Sequence, residues 1–153
     1  MTMFAIDTNL LVYAHNIASE FHTEAKAFLE KVMNERDEKG ELFVCVPVQV
    51  LLEFIHVITW QRLQNPLSLS QACQVVEDYI DAGVTIVHQR ETQLRTFLDL
   101  LNTTTARKKV FDVALAATLK DNGIVGLYTA NVADFEDFEF LEVVNPLQGS
   151  EQA

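Results

Sequence analysis

Short, continuously apolar segments alternate along the chain with longer segments in which apolar residues recur at helical spacing. The apolar segments predict β-strands at residues 4–6, 42–46, 84–87, 127–129 and 141–144. The periodic segments predict helices at residues 10–16, 22–36, 50–63, 68–82, 91–101 and 110–122. Continuously apolar strands that alternate with helices are typical of a parallel sheet covered on both faces. The pattern therefore predicts a three-layer α/β/α fold with a central parallel sheet of four to five strands.

Length and composition fit one globular domain. The chain has 153 residues, 49% of them hydrophobic, and shows no repeat, low-complexity stretch or linker. We predict a single domain over residues 1–147 and a short tail over 148–153. No apolar run approaches the roughly 18–20 residues of a transmembrane helix, and the amino terminus lacks the basic region of a signal peptide. A cytoplasmic protein is expected, with Cys45 and Cys73 as buried free thiols.

Three acidic residues stand in apolar sequence near the ends of predicted elements. Asp7 directly follows the first strand, and Asp112 lies near the start of the last helix. Glu53 lies inside a helix so apolar that we expect it to be buried nearly all round. Singly, Asp7 and Asp112 are also explained as a helix cap and a first-turn acid. Glu53 has no lysine or arginine three or four residues away, so a buried carboxylate there needs a tertiary partner.

Together these acids predict a cation-binding pocket at the carboxyl ends of the strands, where ligands bind in open parallel sheets. Mg²⁺ and Mn²⁺ prefer carboxylate oxygens and water, and often take one or two protein carboxylates. Clustered carboxylates without a cation repel one another and have raised pKa values. If every acid were only a cap, the pKa values would be near normal, and replacing Asp7 by Asn would cost no activity.

The residues around these acids resemble the motifs of PIN domains. The similarity begins with an apolar strand, Asp-Thr-Asn and a short helix at residues 4–13, and it continues with Glu53. Two later motifs, at residues 111–117 and 128–135, and the close of the chain at residues 143–146 also match. Their order and spacing agree over essentially the whole chain. The resemblance implies metal-dependent hydrolysis of RNA phosphodiester bonds. It is strongest to the stand-alone VapC-type toxins, which implies a toxin–antitoxin pair, an antitoxin partner and a homodimer.

The resemblance also implies roles for individual residues. Asp7 and Asp112 would be the metal ligands, for Mg²⁺ or Mn²⁺, and Glu53 would complete the acidic pocket. Thr8 and Asn9 would fix the first turn.

The last part of the pocket departs from the family pattern. Thr129 would support the pocket through its hydroxyl, but Asn131 stands where many members carry an acid. An amide oxygen still ligates a hard cation but adds no charge. Asp134 is predicted to supply the missing carboxylate, with a loop acid that turns the chain before Phe135 as the alternative.

In the predicted mechanism Glu53 or Asp134 acts as general base or holds the attacking water, and His56 orients Glu53. The basic run Arg107, Lys108 and Lys109 either guides RNA towards the metal or is a solvated loop. Such a local patch matters because the net charge of −11 opposes bulk binding to a polyanion.

Two other functions remain possible at this stage. Asn131 favours a catalytically weakened PIN-like module that binds RNA or protein. A phosphohydrolase of the haloacid-dehalogenase type fits less well, because its pattern has an Asp at the position of Asn9. For the dimer, apolar helix faces with Leu10, Val12 and Tyr13 are expected to be exposed.

Overall fold

Five short strands form one fully parallel sheet in a computed structural model, which describes residues 2–103 and 109–147. The strands are β1 (Phe4–Ile6), β2 (Val44–Pro47), β3 (Thr85–Val87), β4 (Gly126–Tyr128) and β5 (Glu142–Val144). Their order across the sheet is β3-β2-β1-β4-β5. In the register, Phe4 stands opposite Val44 on one side and Gly126 on the other. The predicted parallel sheet is confirmed, including its fifth strand.

Within the described residues, six α-helices cover this sheet. They are α1 (Thr8–His15), α2 (His22–Val32), α3 (Val48–Ile58), α4 (Leu69–Asp81), α5 (Gln93–Thr103) and α6 (Val110–Asp121). Helix α1 packs on α2 and α3, α3 also packs on α4, and α5 packs on α6. Because β-α-β crossovers are right-handed, helices that connect β1, β2 and β3 lie on one face, and those that lead back to β4 lie on the other. The predicted three-layer α/β/α fold is confirmed.

The central strands are buried on both faces. Ala5 and Ile6 of β1 have no exposed surface, and neither do Cys45 and Val46 of β2. Successive side chains of a strand point to opposite faces. Helices must therefore cover both sides of β1 and β2, which explains why these strands are apolar without alternation.

The order of the strands reverses between β1 and β4. From β1 the chain moves outward through β2 to β3, and it then returns to the other side of β1 as β4. The Asp7 N–H donates to the carbonyl of Tyr128 (2.9 Å), and the Thr129 N–H donates to the carbonyl of Val144 (3.0 Å). The segments after β1 and β4 are thereby held side by side, in the crevice where this class of sheet binds ligands.

Several helix boundaries differ from the prediction. Helix α1 begins two residues earlier because Asp7 acts as its N-cap. Helix α3 begins at Val48, since Pro47 is its N-cap and ends β2, and the helix ends at Ile58 rather than residue 63. Helix α2 ends at Val32 rather than residue 36.

The structure also corrects four expectations about burial. Leu10 and Val12 are buried in the core, so they do not form an exposed face for a dimer, although Tyr13 is half-buried. Helix α3 is not buried all round, because 63% of Leu52 is exposed. Cys45 is a buried free thiol as predicted, whereas Cys73 is exposed.

The predicted tail, residues 148–153, lies outside the described residues, as do Arg107 and Lys108. In the two described ranges, every helix is too short or too polar to traverse a lipid bilayer.

Candidate active site

Asp7 lies at the centre of the site, where β1 ends and α1 begins. It is 8% exposed. Its Oδ1 accepts a hydrogen bond from the Thr8 N–H (2.8 Å), and its Oδ2 accepts one from the Thr129 hydroxyl (2.8 Å). Burial raises the pKa of Asp7, the bonds from Thr129 and Thr8 lower it, and the charges of Glu53 and Asp134 raise it again. A buried carboxylate beside other acids is the arrangement that a cation stabilises.

Asn9 connects the two segments that follow β1 and β4. Its side-chain oxygen accepts a hydrogen bond from the Ala130 N–H (3.1 Å), and its amide nitrogen lies 3.4 Å from both Asp7 Oδ2 and Thr129 Oγ1. The Thr129 hydroxyl also accepts a bond from the Asn131 N–H (3.0 Å). The side chains of Asn9 and Thr129 therefore hold the crevice at a fixed width around Asp7.

Glu53 reaches the site from the middle of α3 and is half-buried. Its Oε2 accepts a hydrogen bond from the Thr8 hydroxyl (3.0 Å), and its Oε1 accepts one from Gln49 Nε2 (3.2 Å). The same Gln49 nitrogen donates to the carbonyl of Phe111 (2.9 Å). Glu53 thus has the tertiary partner that its sequence context required, and this partner is a hydroxyl.

Two of these contacts differ from the sequence prediction. Thr8 does more than fix the first turn, because its hydroxyl orients Glu53. His56 is exposed, and the positioning of Glu53 predicted for it falls to Gln49 and Thr8. Gln49 escaped notice in the sequence, although it stands four residues before Glu53, the spacing at which side chains of one helix meet.

Asp112, in the first turn of α6, is half-buried and close enough to the other acids to feel their charges. Its pKa is raised to about 6 by burial first, then by the charges of Asp134 and Asp7, while Lys109 lowers it and Glu53 raises it. Shifts of this direction in Asp7 and Asp112 disagree with the interpretation in which every acid is merely a cap. The structure therefore brings all four predicted acids into one electrostatic field.

Asp134, rather than Asn131, adds the fourth negative charge to this field. Asp134 lies in a 3₁₀ turn, Val132–Asp134, and 31% of its side chain is exposed. Asn131 is exposed and precedes this turn, and its backbone N–H bonds to Thr129. The Lys109 ammonium lies 3.3 Å from Asp134 Oδ2. Of the predicted basic run, Lys109 is therefore beside the acids, although its charge is already paired.

The donor set fits a hard cation that keeps much of its water. Within residues 2–103 and 109–147, no three His, Cys, Asp or Glu side chains converge closely enough to enclose a metal ion. Neighbouring acids nevertheless raise the pKa values of Asp7 and Asp112. The raised pKa values agree with a site of the Mg²⁺ type, in which one or two carboxylates hold the ion and water or phosphate oxygens complete the shell. Asp7 and Asp112 are the residues suited to that role.

Two proteins that are similar to this chain in sequence are VapC ribonucleases. Ribonuclease VapC24 of Mycobacterium tuberculosis is 30% identical over 153 aligned residues, which cover 95% of this chain and 97% of that protein. The chain belongs to the VapC ribonuclease family. A second member, VapC ribonuclease Mb2897 of Mycobacterium bovis, is 29% identical over 150 residues, or 96% of this chain and 97% of that protein. A scan against protein-family models gave no match.

Solved VapC structures have the same fold. The Mycobacterium tuberculosis VapC20 toxin, which cleaves the sarcin–ricin loop, superimposes with a TM-score of 0.67 at 17% identity, over 93% of this chain and 99% of its own. VapBC2 of Rickettsia felis, bound to a promoter DNA fragment, gives a TM-score of 0.67 at 16% identity, over 94% of this chain and 98% of the other. These comparisons confirm the resemblance seen in the motifs.

Proposed function

We propose that this VapC-family chain is a metal-dependent endoribonuclease that hydrolyses RNA phosphodiester bonds and serves as the toxin of a toxin–antitoxin pair. The observation that carries the proposal is the buried Asp7, which shares one electrostatic field with Glu53, Asp112 and Asp134 at the crevice beside β1 and β4. Four acids without a cation are mutually repulsive, so the arrangement favours binding of Mg²⁺ or Mn²⁺.

In this proposal Asp7 and Asp112 hold the cation, directly or through water. Once bound, the cation supplies positive charge for the transition state and makes nearby water more acidic. Glu53 is the stronger candidate for general base, because Gln49 and Thr8 fix its orientation. It accepts the proton of the attacking water as the new bond to phosphorus forms and the opposite P–O bond breaks, and the leaving oxygen takes up a proton from solvent water. Asp134 is the less favoured general base, because Lys109 neutralises its charge.

The partners proposed for this chain follow from its family. Solved neighbours include the VapBC-1 complex of nontypeable Haemophilus influenzae. We propose that a separately encoded antitoxin inhibits this chain, that the chain forms a homodimer and that both proteins act in the cytoplasm. Purification of the chain alone, with its molar mass measured by light scattering, tests the dimer.

The function is tested by comparing wild type with Asp7→Asn on a mixed RNA pool in Mg²⁺, Mn²⁺ or EDTA. We expect metal-dependent cleavage by the wild type and a loss of more than about 100-fold in the variant, since even residues that only support a metal ligand contribute 10–100-fold. Asp99→Asn is the matched control, because Asp99 is exposed and forms an ion pair with Arg95 on α5. Equal cleavage by wild type and Asp7→Asn would show that the site is wrong.

Asn131 favours one other function, a VapC-like module that binds RNA or protein without cutting. Its amide adds no charge where many members have an acid. Titration calorimetry with Mn²⁺ separates the two functions. Heat that depends on Asp7 supports the nuclease, whereas no binding at millimolar metal supports the module.

A further inference from the structure

An open cavity of about 620 Å³ adjoins the acidic site. It lies between α3, α6 and the segment that follows β3, and Glu53 forms part of its wall. A volume of this size is typical of sites that take a small organic group, for which roughly 300–1,000 Å³ is usual. No residue proposed to hold the cation lines this cavity. It is therefore a neighbour of the acidic site rather than a part of it.

Two large apolar side chains on different helices line the cavity and remain in water. Phe111 of α6 is 71% exposed, and Leu52 of α3 is 63% exposed. Leu52 lies on a side of α3 that is apolar although the core does not cover it. An aromatic face and an aliphatic side chain around an open space suit a flat ring, which gains from stacking and from leaving water.

Three of the polar side chains in the wall are uncharged amides, beside His88, Thr118 and Glu53. Gln49, Gln89 and Gln93 line the cavity, and each amide is both a donor and an acceptor. Among the described residues of the wall, none is a lysine or an arginine, and Glu53 is the acid. Such a lining opposes a phosphate group and suits a neutral ring with hydrogen-bonding edges.

The cavity and the acidic site are joined through Gln49. One amide nitrogen of Gln49 donates to both Glu53 Oε1 and the Phe111 carbonyl, so it links a site acid to the residue whose ring lines the cavity. Phe111 also directly precedes Asp112. A strand of RNA with a phosphate at the acids would thus place an adjoining base beside the cavity.

We infer that this cavity binds one unpaired nucleobase of the RNA, next to the phosphodiester that is cut. The inference rests on the proposed function. Phe111 stacks on the base, Leu52 covers the other side of the ring, and the glutamine amides contact its edge. Base stacking also gives the chain an affinity for RNA that needs no positive charge, which matters in a protein of net charge −11.

The first test uses cleavage. After a preferred cleavage site is found in the RNA pool, oligoribonucleotides of that sequence with a single abasic position are compared for wild type and Phe111→Ala. One abasic position should lower kcat/KM of the wild type by roughly 5- to 150-fold, which corresponds to the stacking free energy of one base on an aromatic side chain. The same abasic position should lower kcat/KM of Phe111→Ala only slightly, because this variant has already lost the contact between the base and the ring. Phe111→Trp should restore the sensitivity.

The second test does not depend on cleavage. RNA labelled with 2-aminopurine is titrated with protein in EDTA, and quenching by the wild type should be weakened in Phe111→Ala and Leu52→Ala. Trp60→Ala and Leu69→Ala are the controls, since both side chains are exposed and neither lines the cavity. Quenching that depends on Phe111 without any cleavage would support the base site and contradict the nuclease. If neither cleavage nor quenching differs between wild type and Phe111→Ala, the base site is wrong. An apolar side chain of a protein partner is then the favoured occupant of the cavity.

Discussion

At the scale of single residues, Asp7 is at once a helix N-cap and a member of the acidic site. Its side chain accepts the Thr8 N–H at the start of α1, while its other oxygen faces Thr129. The cap and the site are therefore compatible, because a carboxylate has lone pairs enough for several partners. A local motif alone cannot separate the two functions, since the evidence for the site comes from residues that are distant in the chain.

Removing the hydroxyl of Thr129 should destabilise the site. Thr129 has no exposed surface, and its hydroxyl is the donor to Asp7 Oδ2 and the acceptor of the Asn131 N–H. In Thr129→Val both partners lose this bond in a buried place, which should lower the free energy of unfolding by about 1–3 kcal/mol. Urea unfolding measures the change. Thr129→Ser keeps the hydroxyl and should lose clearly less, and equal losses in the two variants would contradict this account.

Asp112 should make the metal-free protein less stable as the pH rises. Its pKa in the folded chain is about 6 against an ordinary 3.8, so between these values the folded state holds a proton that the unfolded chain has released. Stability therefore falls as the pH rises through this window. In EDTA at neutral pH, Asp112→Asn should be more stable than wild type by about 1 kcal/mol, a value discounted because the carboxyl is half-exposed.

This prediction is checked by urea unfolding in EDTA at neutral pH and again near pH 4. The advantage of Asp112→Asn should be much smaller at the lower pH, where the folded wild-type carboxyl is protonated and the unfolded one is partly protonated. Adding Mg²⁺ should stabilise wild type more than the variant, because the cation binds only where the acid remains. A variant less stable than wild type in EDTA at neutral pH would count against the raised pKa.

At the scale of the elements, the pairing of β1 with β4 positions the site. Gly126 of β4 stands opposite Phe4 of β1, and a Cβ at Gly126 would lie 2.5 Å from the ring of Phe4. This ring also packs against Tyr128, with the two ring centroids 4.5 Å apart. The close contact explains why a small residue occupies a strand that is otherwise apolar.

Gly126→Ala should therefore destabilise the protein, although alanine usually suits a strand better than glycine. Displacing the Phe4 ring should cost about 1–3 kcal/mol, the usual cost of an overpacked core. Thermal or urea unfolding measures it. In a Phe4→Leu background the same substitution should cost less, and an unchanged cost there would mean that the strain lies elsewhere.

The sequence predicted the elements of this fold better than the burial of their faces. Strands were evident because β1 and β2 are buried on both sides and so lack polar positions. The sequence prediction was wrong about Leu52, which is exposed, and about Leu10, which is buried. Apolar periodicity cannot distinguish a helix face in the core from one beside a surface cavity. The positions of Asp7, Glu53 and Asp112 followed from strand and helix ends. Their partners did not, because hydrogen bonds such as Thr8 to Glu53 join residues far apart in the chain.

At the scale of the whole molecule, the negative charge limits how RNA is bound. With a net charge of −11, phosphate contacts should be few and the salt dependence of RNA affinity shallow. Among the described residues, Lys109 is the positively charged side chain beside the acids, and it pairs with Asp134. Affinity must then come mainly from the bound cation and from contacts that carry no charge, with a single phosphate contact expected from Lys109.

Lys109→Gln should weaken RNA binding and reduce the slope of log affinity against log salt by about 0.7, the value for one phosphate contact of a single strand. Fluorescence anisotropy over a series of KCl concentrations measures the slope. Lys39→Gln is the control, because Lys39 lies in the exposed loop before β2, at the opposite end of the sheet. If the two variants give the same slope, Lys109 only neutralises Asp134.

The reversal of strand order also determines when the site can form during synthesis. Asp7 precedes its donor Thr129 by 122 residues in the chain, and Val144 of β5 then fixes Thr129 in place. A ribosome must therefore translate the chain as far as Val144 before the acids, the hydroxyl and the crevice exist together. Nascent chains and products truncated before Thr129 lack the assembled pocket, so the proposed activity should appear only after this last strand has been made.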